Sequence, residues 1–265
     1  MQLCMMTVMM ANYAVEDIVK TAVECRMPAI DWISCHGKDP KYLKRLCDDA
    51  GLVIAAHTIF SQEALTTGVQ PRECFLRSLA DAVALGTHTM MVPPFPDDSI
   101  ADLSEARKRW IDFYAWAAPI GKAAGVQITC EPTGFINSPI TSADEIRETL
   151  DAVPDLKLTF DVGNMATADM DLVGGYQKLK DAIVHFHLKD WTITDQPTAI
   201  SDLKRTGKHF ANAIINRGAL ALRNWWINVD PAQKNLYVNL ETSDPQNVIP
   251  PHELMKMLSD ELRNW

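Results

Sequence analysis

No apolar run in the sequence approaches the roughly 18 residues needed to cross a bilayer, so no membrane partner is expected. The first ten residues, MQLCMMTVMM, are apolar but lack a basic stretch and a clear small-residue cleavage site. They are expected to form a first buried strand rather than a secretion signal. The six cysteines (Cys4, Cys25, Cys35, Cys47, Cys74 and Cys130) make no CxxC pair and no zinc-finger spacing. Several fall in apolar runs, where cysteine behaves as a small hydrophobe, so reduced thiols and a cytoplasmic location are expected. Nothing resembles GxGxxG or a phosphate loop, and no Pro/Gly/Ser-rich linker divides the chain. Positive charge is also scarce: 25 Lys and Arg face 34 Asp and Glu, a formal net charge of −9. Phosphate backbones attract basic surfaces, so a nucleic-acid partner is not expected.

What the 265 residues do contain is ordinary for a soluble globular enzyme, with 47% hydrophobic and 22% charged residues. Disordered, collagen-like and low-complexity chains are excluded by that balance. Strand-like runs recur at 3–10, 29–35, 53–60, 88–95, 126–133, 156–162, 184–191 and 236–242. Segments with helical spacing separate them, among them VEDIVKTAVECR, PKYLKRLCDDAG and SADEIRETLDAV. Gly51, Gly86 and Gly125 each close a helix before a strand, Pro71 suits a first helical turn, and Ser142 with Glu145 has capping-box spacing. Alternating strands and helices over this length predict a single (β/α)8 TIM barrel spanning 1–265. One polar excursion, 192–217, breaks the rhythm between the seventh strand and its helix. It contains Lys204, Arg205, Lys208 and His209 and would lie on the C-terminal face, placed to act as a lid.

Side-chain parity locates the chemistry. Strand residues alternate between two faces. On the fifth to eighth expected strands the apolar sets pair Ile128 with Cys130, Leu158 with Phe160, Val184 with Phe186 and Leu188, and Val238 with Leu240. The opposite sets end in Glu131, Asp161, His187 and Glu241, each at a strand's C-terminal end. A carboxylate facing a barrel interior is costly unless it is paired or coordinates a cation. Salt bridges to Lys157 or Lys189 account for any one of these residues, but not readily for four on successive strands. Oxygen-rich ligands with one imidazole suit Mn²⁺, Mg²⁺ or Co²⁺ better than a thiolate-bound zinc.

The segments CEPTGF, TFDVGN, HFHLKDW and VNLET resemble the metal-site segments of the xylose-isomerase-like TIM barrel superfamily. That group includes sugar isomerases, ketose 3-epimerases, inosose dehydratases and endonuclease IV nucleases. TGKHFANAIINRGALALRNWWI is similar to the loop and helix before the eighth strand in sugar phosphate isomerase/epimerase-type members. The resemblance implies that Glu131, Asp161, His187 and Glu241 bind one divalent ion, Mn²⁺ first, and that Glu131 and Glu241 are the catalytic acid/base pair. It also implies a small carbohydrate substrate and a homo-oligomer. The sequence departs from many ketose epimerases at Asn164, where they carry histidine, and at Lys189, Asp190 and Trp191, where an arginine is usual.

The chemistry expected of such a site is α-proton transfer through a metal-stabilised enediolate, giving epimerisation or isomerisation. A dehydratase or β-elimination lyase on a keto-sugar is the alternative, motivated by the same departures. An abasic-site endonuclease would need more histidine ligands and a basic face, and a non-catalytic sugar-binding barrel would bind without exchange. Lys189, His57, Asn164 and His209 are candidate substrate-binding residues. Lys189 serves equally as a salt-bridge partner, and His57 equally as a core histidine. His185 and His88 read as structural, and Trp225 and Trp226 as packing residues.

Overall fold

The structure, a computed structural model, describes residues 1–58 and 71–265. Eight parallel strands close into a barrel: β1 (Gln2–Met6), β2 (Ala29–Ile33), β3 (Val53–Thr58), β4 (Thr89–Met91), β5 (Gln127–Cys130), β6 (Lys157–Asp161), β7 (Ile183–Leu188) and β11 (Tyr237–Leu240). The order around the barrel is β1-β11-β7-β6-β5-β4-β3-β2. Helices α1 (Val15–Glu24), α2 (Pro40–Asp49), α3 (Pro71–Leu85), α4 (Leu103–Ala123), α5 (Ala143–Ala152), α6 (Val162–Ala166), α7 (Leu172–Leu179), α8 (Leu222–Ile227) and α9 (Pro251–Leu262) connect and surround them. The expected (β/α)8 architecture is therefore the observed one. Ile59 and Phe60, expected to end the third strand, lie outside the described residues. The fourth strand is shorter than expected, because Pro93 and Pro94 cannot donate to the ladder.

Alternation separates the two faces of the wall. Outward residues such as Ile128, Leu158, Phe160, Phe186 and Val238 join the main apolar cluster beneath the helices. Trp225 of α8 stacks on Phe160 with ring centroids 5.7 Å apart and planes 5° from parallel, and meets Phe186 edge-on. Inside the barrel, Cys4, Ala29 and Ala55 pack together as one small apolar group, and Met6, Ile33 and Met91 as another. Inward polar side chains on the remaining strands complete the interior.

The excursion expected at 192–217 carries strands of its own. The chain leaves the barrel at Lys189 and forms an antiparallel sheet in the order β8-β10-β9, from β8 (Asp190–Thr194), β9 (Asp202–Leu203) and β10 (His209–Ala213). Five register pairs, from Asp190↔Ala213 to Thr194↔His209, hold the long arms. Asp190 secures the return, accepting from the backbone N–H groups of Gly218 and Leu220. The far end is docked against the barrel. Arg205 grips Glu145 with two bonds of 2.7 and 2.8 Å, and Thr206 N donates to Thr167 O at 3.1 Å. Glu145 is also the third residue of α5 and closes the capping box with Ser142.

Candidate functional site

The four parity-selected residues converge at the C-terminal end of the barrel. One ligand-type atom from each of Glu131, Asp161, His187 and Glu241 lies within 4.8 Å of the other three. Strand register explains the meeting: Asp161 and Asn239 both align with His187, bringing β6, β7 and β11 to one level. His187 Nδ1 stands 2.6 Å from Glu131 Oε1 and 3.6 Å from Glu241 Oε2. Its other nitrogen faces down the barrel, where the Asn239 amide lies 2.8 Å away and donates on to Asp31 Oδ2 at 2.7 Å. Thr58 adds a hydroxyl to Asp31. This chain of contacts fixes the ring so that Nδ1 addresses the carboxylates. One oxygen of Asp161 is likewise engaged, accepting from Asn164 N at 2.8 Å as the cap of α6.

The donor set fits a divalent cation on two grounds. Asp161 Oδ2 is buried with no hydrogen-bond partner, and Glu131 Oε1 and His187 Nδ1, equally buried, have only each other at 2.6 Å. Buried polar atoms are normally satisfied, and an unpartnered carboxylate oxygen beside two further buried carboxylates calls for a shared positive charge. Electrostatics agrees. Burial raises the Glu131 carboxyl above the usual range against the pull of His187, and burial with the Glu241 charge pushes Asp161 well up. Burial also opposes ionisation of Glu241, but Lys189 and His187 outweigh it and hold that carboxyl well below the usual range. Burial opposes a charged His187, but Glu131, Asp31 and Glu241 prevail and hold its imidazole well above the usual range. The carboxylates thus draw on both Lys189 and His187 for the positive charge that a bound cation would supply.

Above the cluster opens a cavity of about 360 Å³ whose lining includes Glu131, Glu241, Lys189, Asn164, Thr133 and Asn212. Apolar side chains, among them Met6, Ile33, Met91, Phe135 and Trp191, supply most of the remaining wall. Lys189 donates to Glu241 Oε1 at 2.5 Å, and its ammonium sits 5.1 Å from the Trp191 ring centroid. Gly163 permits this, since a Cβ there would lie 2.6 Å from the Cβ of Lys189. Asn164, expected at the substrate, does line the cavity.

Two of the residues singled out in the sequence are placed elsewhere. His57 is on the outer side of β3: its neighbour Thr58 lines the cavity, while its own Nδ1 lies 2.9 Å from Trp32 O and its ring adjoins Cys35 and Asp81. His209 is on the face of β10 opposite Phe210 and Asn212, which line the cavity in its place. His185 lies beneath His187 with ring centroids 5.4 Å apart, and burial lowers its imidazole to about 4, so it is neutral near pH 7. Trp225 and Trp226 are buried packing residues. Sequence reasoning passed over Asp31, although a lone acid in the apolar run AIDWI was a usable signal. It gave no role to Lys204, whose position depends on how the β9–β10 turn docks.

Comparisons with known proteins agree with this picture of the fold. The family described as xylose isomerase-like TIM barrel matches residues 21–223. No curated protein matches the chain. Among solved structures, the IolI protein with a bound zinc atom superposes with a TM-score of 0.79 at 14% identity, covering 100% of this chain and 97% of the other. D-psicose 3-epimerase, solved in the presence of D-fructose, gives 0.76 at 12% identity, covering 100% and 98%. The probable 3-DHS dehydratase AsbF from Bacillus anthracis gives 0.76 at 16% identity, covering 100% and 99%. Closed barrel, strand order and family match lead to one conclusion: the chain belongs to the xylose isomerase-like TIM barrel family.

Proposed function

We propose that this protein is a divalent-metal-dependent isomerase or epimerase. Its substrate would be a small hydroxy-carbonyl compound, a sugar or sugar derivative, and its reaction the movement of the proton beside the carbonyl. The observation that carries the reading is the convergence of Glu131, Asp161, His187 and Glu241, with a buried oxygen of Asp161 left unpartnered. These four residues would hold one ion, with Mn²⁺ the first choice and Mg²⁺ or Co²⁺ close behind. Such an ion supplies Lewis-acid stabilisation of the negative charge that grows on the substrate oxygens.

The chain's own residues do the rest. Glu131 and Glu241 project from β5 and β11, which are separated in the barrel by β6 and β7. They therefore reach the cavity from different sides, so one takes the proton and the other returns one. The Lys189 ammonium keeps Glu241 ionised and ready as the base. D-psicose 3-epimerase among the structural neighbours supports the reading at the level of the fold.

The test is solvent exchange. Protein loaded with Mn²⁺ is incubated in D₂O with ketoses, aldoses and keto-acids, and deuterium is sought at the carbon next to the carbonyl. Exchange is expected with at least one compound, and is lost in Glu131→Gln and Glu241→Gln, each slowed by about 10²–10⁴-fold. Absence of exchange at full metal loading counts against the proposal. A second reading, β-elimination, is favoured by the Lys189 ammonium at the cavity wall, a proton donor within reach of a leaving hydroxyl. An ultraviolet-absorbing unsaturated product separates it from epimerisation.

A further inference from the structure

A second ammonium group enters the cavity from outside the barrel. Lys204 sits at the β9–β10 turn, yet its side chain is only 7% exposed and lines the cavity wall. Among the described residues its nearest countercharge is Asp202 at 3.5 Å, a carboxylate that is itself 81% exposed and hydrated. The ammonium otherwise faces aromatic rings, 5.6 Å from the centroid of Trp191 and 5.9 Å from that of Phe135. Trp191 is the ring that Lys189 also approaches, so both cations border one volume. Burial lowers the Lys204 ammonium below its usual range, with Asp202 opposing. A buried cation with so little compensation is costly unless something else in the cavity completes it.

The backbone holds Lys204 in place. Lys204 N donates to Lys208 O and Gly207 N to Lys204 O, both at 2.9 Å, closing a tight turn in which Gly207 takes a φ of +77°. The next two residues are pinned to the barrel by the Arg205–Glu145 and Thr206–Thr167 bonds. A side chain fixed on both flanks and aimed inward is preorganised to bind.

We propose that Lys204 recognises an anionic group at the end of the substrate remote from the reacting carbonyl, so that this barrel prefers a carboxylate- or phosphate-bearing hydroxy-ketone to a neutral sugar. The carbonyl end is assigned by the metal-site reading above, on which this inference rests. The anion preference itself is measurable without that reading.

Three compounds matched except at the sixth carbon separate the cases: D-fructose, D-fructuronate and D-fructose 6-phosphate. Binding to the full chain is measured by calorimetry with and without Mn²⁺. At least one of the two anions is expected to bind tenfold or more tightly than D-fructose, and which one does so identifies carboxylate or phosphate. Lys204→Met should reduce that preference to near unity, Lys204→Arg should keep most of it, and Lys208→Met, on the same turn but exposed and paired with Asp195, should leave it unchanged. Circular dichroism confirms that each variant is folded. No preference for either anion in the wild type, or a preference that survives Lys204→Met, overturns the proposal. Failure of the protein to take up Mn²⁺, with the Lys204-dependent preference intact, contradicts the metal reading alone.

Discussion

At the scale of single residues, the site depends on side chains that never meet the substrate. Asn239 lies between His187 and Asp31, and its amide decides which nitrogen of His187 turns toward the carboxylates. Replacing such an orienting partner usually weakens metal binding by about 10–100-fold. Asn239→Ala should therefore raise the Mn²⁺ dissociation constant by that factor in calorimetry while the protein remains folded. An unchanged constant would show that His187 is oriented by packing alone. Parity made the four convergent residues legible in the sequence, because a period of two needs no tertiary knowledge. His57, read equally as a core histidine, is buried in that position, and His209 lies on the face of β10 away from the cavity. Thr58 and Phe210 hold the inward positions beside them.

At the scale of elements, the excursion after β7 is where sequence reasoning reached its limit. Composition showed polarity and charge, but the pairing of β8 with β10 depends on a register that local pattern does not specify. Its docking depends on Glu145, which was recognised only as a capping residue yet also binds Arg205 and Arg107. Burial opposes its ionisation, but the hydrogen bonds from Arg205 and from the Ser142 and Thr141 backbone prevail and lower the Glu145 carboxyl. A depressed folded-state value adds stability above the unfolded carboxyl range and loses it as pH falls through the folded value. Glu145→Gln should therefore cost about 2 kcal/mol at pH 7, with the gap from wild type closing below about pH 4. Denaturant unfolding at both pH values checks this; an equal gap at both contradicts it. On the opposite face, α8 attaches to the strands through Trp225, stacked on Phe160. Trp225→Ala should destabilise by about 3–5 kcal/mol in the same assay, and a loss below about 1 kcal/mol would mean that the helix is held by other contacts.

At the scale of the whole molecule, the alternation that builds the barrel also builds the site. Each strand from β5 to β7, with β11, gives its outward residues to the helices and its last inward residue to the cluster. The strand–helix rhythm and its glycine stops were legible because they are local. Gly51, Gly86 and Gly125 all adopt the positive φ that a helix C-terminus favours. The shape of the cavity was not legible, since Lys204 reaches it from a turn 15 residues beyond Lys189. The central claim is that Glu131, Asp161, His187 and Glu241 together bind one divalent ion. Its most direct test is calorimetric titration of chelator-treated protein with Mn²⁺, with metal content measured on the same sample. The account predicts one ion per chain, and binding weakened by orders of magnitude in His187→Ala and Asp161→Asn. Absence of binding at millimolar Mn²⁺, or unchanged binding in both variants, would contradict it.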